Sequence, residues 1–129
     1  MEDYSAKIIE SSSELTARER IALKDIRNAI SLDAEVNPGD SLIITPDKFA
    51  IISVHNERAK GDKDYTKYVL VDTAGNKYFT GSESFYRSFR QIWDEMKADA
   101  PDEPFSIECY KVESKNYAGK YFISCSIAP

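Results

Sequence analysis

Five stretches of the second half of the chain, at 48–56, 66–72, 76–80, 105–112 and 120–127, are β-rich apolar runs, and the last two alternate apolar and polar residues with period two. Each run predicts a half-buried β-strand. Between the third and fourth runs the period changes. Phe85, Phe89, Ile92, Trp93 and Met96 recur at helical spacing and predict a helix over 83–97 with one apolar stripe. Ser82 is placed to cap its first turn, and Glu83 suits the helix dipole. Tyr86 and Arg90 lie off the stripe. Thr73-Ala-Gly75-Asn76 predicts a tight turn with Gly75 or Asn76 at positive φ.

The first half is less regular. Residues 1–14 are polar and predict a flexible N-terminus. Thr16-Ala-Arg-Glu19 matches a capping box and opens a helix expected over 16–32. Ala22, Ile26, Ala29 and Ile30 would form its apolar side, and Arg18, Arg20, Lys24 and Arg27 its basic surfaces. Asn37-Pro38-Gly39-Asp40 is a turn signal, followed by the short apolar run Ser41–Thr45 and the break at Pro46-Asp47. That segment reads either as a hairpin with 48–55 or as one long bent strand.

The order strand, strand, strand, helix, strand, strand is that of the OB-fold, a five-stranded Greek-key barrel. The expected fold is therefore mainly β with helices: such a barrel, a helix between its third and fourth strands, and an N-terminal helical extension. Residues 15–129 are expected to form this as a single domain.

Composition narrows the class. The chain has 129 residues, 42% hydrophobic and 30% charged, which suits an ordinary globular domain. No apolar run is long enough to span a bilayer, and the N-terminus lacks the pattern of a signal peptide, so the expected location is cytoplasmic. Cys109 and Cys125 fall on the apolar sides of two strands joined by a turn near 116–118. They are expected to face each other as reduced core thiols. Two cysteines and one histidine argue against a zinc site, and no cofactor is expected. No Walker loop, Gly-x-Ser-x-Gly or dinucleotide fingerprint is present. The lone His55 beside Ser53 reads as structural, so a binding function is favoured over an enzyme.

The net charge of −5 is unevenly spread. Residues 48–90 carry net +3 and 109–129 net +2, while 1–47 and 91–108 each carry net −5. The positive surplus thus falls on the predicted barrel strands, the distribution a basic groove on an acidic protein would give. Candidate phosphate contacts are Lys67, Lys77, Arg87, Lys111, Lys115 and Lys120. Candidate stacking residues are Tyr68, Tyr78, Tyr110, Tyr117 and Phe122. Tyr110 and Phe122 are singled out because they fall on otherwise polar strand faces. A second small core under the N-terminal helix is the competing account of those two. The loop 56–65 carries Arg58, Lys60 and Lys63, either as phosphate contacts or as a solvated loop.

Four stretches carry a family likeness: Thr16-Ala-Arg-Glu-Arg-Ile-Ala-Leu-Lys, Asp64-Tyr-Thr-Lys-Tyr-Val-Leu-Val-Asp, Tyr78-Phe-Thr-Gly-Ser-Glu-Ser-Phe-Tyr, and Pro104-Phe-Ser-Ile with Ser-Lys-Asn-Tyr-Ala-Gly-Lys-Tyr-Phe-Ile-Ser-Cys-Ser-Ile. The chain resembles small single-stranded-DNA-binding proteins of bacteriophages and prophages of Gram-positive bacteria over about residues 15–128. The resemblance implies an OB-fold that coats single-stranded DNA in replication or recombination. It also implies single-stranded DNA as partner, and it admits replication or recombination proteins and self-association as further contacts. The chain ends at Ile127-Ala-Pro129 without the acidic tail of bacterial housekeeping homologues, so recruitment is expected to use another surface. The alternative is a protein-interaction module on the same fold, such as an accessory or host-inhibitory factor that mimics nucleic acid with an acidic face.

Overall fold

A computed structural model of the chain describes residues 4–25, 28–58 and 60–128. It is mainly β, with two sheets and few helices. The strands are β1 (Tyr4–Ser11), β2 (Ile30–Ser31), β3 (Ser41–Ile44), β4 (Pro46–Asn56), β5 (Asp64–Asp72), β6 (Lys77–Thr80), β7 (Ile107–Glu113) and β8 (Tyr121–Ile127). The helices are α1 (Ala17–Lys24), α2 (Leu32–Glu35) and α3 (Glu83–Asp99). The large sheet has the order β1-β4-β5-β6-β2, and the small one β3-β7-β8.

The five strands and one helix expected in the second half are all present, within two residues at their starts and ends. Ser82 caps α3, its side chain accepting from the Phe85 N–H. The turn after β5 closes on Asp72, whose carboxylate accepts from the N–H groups of Ala74 and Asn76, and Gly75 takes φ +91. The segment around Thr45 is a bent strand rather than a hairpin. β3 pairs with β7 and β4 with β5, so one run of chain crosses from the small sheet to the large one. Proline is tolerated at the bend because it opens β4, where a register shift already interrupts the ladder.

The core lies between the sheets. Phe49, Leu70 and Tyr78 on the inner face of the large sheet meet Ile107, Cys109, Ile123 and Cys125 of the small one, with Phe85 and Phe89 of α3 between them. Phe49 meets Phe89 and Trp93 edge-on, with ring centroids 5.4 and 5.1 Å apart. Cys109 and Cys125 are free, buried and directly opposite in the β7–β8 register. Burial pushes the Cys109 thiol far up and that of Cys125 up to about 12, so both stay protonated.

Three expectations are corrected. First, residues 4–11 form β1, paired with β4, where the sequence suggested a flexible terminus. A register shift at Ile8/Glu10 breaks the alternation that would have revealed the strand. Second, the helix expected over 16–32 ends at Lys24, because Asp25 turns extended (φ −86, ψ 98). The capping box at Thr16 and Glu19 is present, but the helix docks through Leu23, not through Ala22, which is exposed. Ile26 and Arg27 lie outside the described residues. Third, the strands do not close into a barrel. β6 is hydrogen-bonded to β5 and, in parallel, to β2, not to β8. Leu32 and Val36, both buried, fill the core beside that opening. Thr80, also buried, donates to the Asp33 carboxylate at 2.8 Å and ties α2 to β6. No helix in the described residues is long and apolar enough to cross a membrane.

Candidate nucleic-acid interface

The large sheet has a second, outer face, set by strand alternation. It carries Ala50, Ile52 and Val54 of β4, Tyr65, Lys67, Val69 and Val71 of β5, and Lys77 and Phe79 of β6. Leu23 and Leu15 cover part of it and build a smaller core there. Tyr65 and Phe79 pack against the margin of that core and stay half-exposed. The Lys67 ammonium lies between them, 4.8 Å from the Phe79 ring centroid and 5.7 Å from that of Tyr65. Among the described residues Lys67 has no carboxylate partner. The loop before β5 carries Lys60 and Lys63, both exposed, next in the chain to Tyr65.

The other predicted site residues scatter. Lys77 shares the outer face of Lys67, but its ammonium donates to the carbonyls of Ala22 and Asp25 (the latter at 2.8 Å), at the end of α1. Tyr68 and Tyr78 point to the opposite face. Tyr78 is buried in the main core. Tyr68 stacks on Tyr86 of α3, with centroids 4.4 Å apart and rings 8° from parallel. Arg87 is exposed on α3 and paired with Glu83 at 3.1 Å. Arg90, off the α3 stripe, binds Tyr86 and Glu10 and so pins α3 to β1.

Tyr110 and Phe122 lie on the outer face of the small sheet, opposite Ser124 and Val112 respectively. Phe122 is 38% exposed, Tyr110 is half-buried, and Ile43 is a further exposed residue of the same face. Neither belongs to the main core or to the smaller one under α1, so they do not form the second core that the sequence left open. Lys115, Tyr117 and Lys120 are exposed at the hairpin tip. Lys111 is half-buried near the same end, opposite Ile123. The structure thus gathers the eleven candidates into an outer patch at Lys67, a second around Tyr110, Phe122 and the tip, and a remainder engaged in packing or ion pairs.

Phe79 was missed by the sequence reading. Its signal is parity: Tyr65 and Lys67, two apart, pair with the strand that carries Lys77 and Phe79, so all four share one face.

A third cluster lies at the end of β4. His55 holds Asp64 through Nδ1 at 2.7 Å and Glu57 through Nε2 at 2.6 Å. Hydrogen bonds to Asp64 and then Glu57 raise its pKa above the ordinary value of 6.5. Both ring nitrogens are taken, so neither is open toward Ser53. Lys63 donates to the Glu57 carbonyl at 2.6 Å, and the loop between β4 and β5 is closed around this clamp. Among the described residues no group of three or more His, Cys, Asp and Glu side chains is arranged to hold a metal ion. Comparisons with protein-family models, with curated proteins and with solved structures found no match.

Proposed function

We propose that this protein binds single-stranded DNA with little sequence preference, in replication or recombination, on an open variant of the OB-fold. Support for the fold comes from the bent strand β3–β4, the β4-β5-β6 meander, the helix after it and the β7–β8 hairpin. In this reading the β2–α2 segment takes the place of the β6–β8 contact that would close the barrel. The observation that carries the function is Lys67, a cation without a carboxylate partner among the described residues, held between two half-exposed rings on the outer face of the meander. Every base has a face to stack on an aromatic ring, and every phosphate needs a cation, so this pairing suits a strand of any sequence. Stacking on Tyr65 and Phe79 supplies about 1–3 kcal/mol per base, and Lys67 swings from the rings to a phosphate. Tyr110 and Phe122, with Lys115, Tyr117 and Lys120, form the second stacking surface.

The test is a comparison of oligo-dT affinity between the wild type and Lys67→Ala, Tyr65→Ala and a Tyr110→Ala/Phe122→Ala double variant, each checked for an unchanged melting curve. Lys67→Ala is expected to weaken binding and to flatten the slope of log K against log salt by about 0.7, one phosphate's share on a single strand. Wild-type affinity in every variant would remove both surfaces from the account.

A second reading, a protein-interaction module with an acidic face, is favoured by the exposed carboxylates of Glu95, Asp99, Asp102 and Glu103. It predicts no affinity for DNA at any salt concentration.

A further inference from the structure

Where α1 docks on the large sheet, a cleft of about 280 Å³ remains at the end of β5 away from Tyr65. Its floor is one row of the ladder. Lys48 pairs with Val71, and Val71 with Lys77, so the three share a face across β4, β5 and β6. Lys48 and Lys77 stand two strands apart, about 10 Å between Cα atoms. Arg18, Glu19, Ala22 and Leu23 line the cleft from α1, and Gly75 in the turn before β6 lies at its rim.

Charge sets this cleft apart. Among the described residues, Arg18, Lys48 and Lys77 against Glu19 leave its lining at +2, on a chain of net −5. The cations also have donors to spare. Lys48 gives one N–H to Glu19 at 3.3 Å, and Lys77 gives two, to the carbonyls of Ala22 and Asp25. An ammonium has three. Arg18 is exposed and has no partner among the described residues, so its guanidinium fork is unspent. Both oxygens of Glu19 are taken, one by Lys48 and the other by the Thr16 N–H at 3.0 Å. Asp72, beside Val71 in the chain, spends its carboxylate on Ala74 and Asn76 within the turn. Between the charged groups the lining is aliphatic, at Ala22, Leu23 and Val71.

We infer that this cleft binds a phosphomonoester carried on a small ring, as in a nucleotide with a terminal phosphate. Such a group carries about −1.5 to −2 charges at neutral pH and three strong acceptor oxygens, the complement of a +2 cleft with unspent donors. The phosphate meets Arg18 and Lys48, and the ring lies on Ala22 and Val71. A phosphodiester inside a strand carries a single charge and would leave the cleft half neutralised. The charge and the aliphatic lining stand on their own. The choice of a nucleotide as the ring rests on the strand-binding reading of the adjoining patch, where Phe79 lies two residues from Lys77 on the same face of β6. A free nucleotide and the phosphorylated end of a bound strand present the same group, and the experiment separates them.

The test measures binding of dTMP by calorimetry and by amide NMR shifts, beside thymidine and inorganic phosphate. dTMP is expected to bind about tenfold tighter than either, or more, and to move the amides of Ala22, Val71 and Gly75. Arg18→Glu and Lys48→Met should each lower its affinity about tenfold. Glutamate suits the first turn of a helix, and methionine keeps an aliphatic stem at position 48, so both variants should hold the wild-type melting temperature. Their affinity for 5′-hydroxyl oligo-dT should also stand, because the Lys67 surface is untouched. Displacement of dTMP by 5′-phosphoryl oligo-dT, but not by the 5′-hydroxyl form, would support the inference with a strand end as occupant. Displacement by neither would support it with a free nucleotide. No binding of dTMP, equal binding of thymidine or of phosphate, displacement by both oligonucleotides, or insensitivity to both substitutions would overturn it. Binding of dTMP by a protein that binds no oligo-dT would keep the cleft and remove the strand-binding reading.

Discussion

Lys67 and Lys77 carry the same charge on the same sheet face and do different work. Lys67 lies over two half-exposed rings, whereas Lys77 spans two carbonyls at the C-terminus of α1. A cation at that helix end satisfies acceptors the helix leaves open. Replacing Lys77 with Ala should therefore lower stability by about 1–2 kcal/mol, measured by denaturant unfolding, with little change in oligo-dT affinity. Lys67→Ala should do the reverse. Both read as phosphate contacts in the sequence, because nothing local distinguishes them. The partner of Lys77 is more than fifty residues away. Among the aromatic residues, Tyr68 and Tyr78 have the parity of the core, while Tyr65 and Phe79 have that of the outer face. His55 gives the pH dependence at this scale. Its pKa is raised in the folded state, so its clamp stabilises fully below the ordinary value of 6.5 and is lost as pH rises through the folded value. An NMR titration should show the raised pKa, and Asp64→Asn, removing the larger cause, should lower it.

Among the elements, those that announce themselves in the sequence are those whose signals are local. α3 has a capping serine, an acidic first turn and an unbroken apolar stripe, and it forms as the pattern predicts. Phe85 and Phe89 of that stripe are almost fully buried. Phe89→Ala should cost about 3–5 kcal/mol, read from the urea midpoint, because the rings of Phe49 and Trp93 lose their partner. The Cys109–Cys125 pairing was legible for the same reason, since period-two alternation and a short hairpin fix it. β2 has only two residues and exists because β6 offers it an edge. α1 is half the length its apolar spacing suggested, because the chain is needed at β6. In each of these cases a long-range contact overrode a local preference.

At the scale of the whole molecule, the fold is an open pair of sheets whose gap is filled from the N-terminal half. Leu32 and Val36 sit where β6 and β8 fail to meet, and β1 extends the large sheet on its other side. β1, α1, β2 and α2 thus complete the fold rather than append to it. They also leave the outer face of β5 and β6 partly bare, and that is where the cation and the rings lie. Charge follows the same division, with the basic surplus on the strands and the acidic surplus on the N-terminal region and the end of α3. Strand binding is decided by a titration of the purified protein with fluorescent oligo-dT at low and moderate salt, against a duplex of equal length. The account predicts binding to the single strand that falls steeply as salt rises, and much weaker binding to the duplex. No binding to the single strand at low salt, or equal binding to both forms, would contradict it.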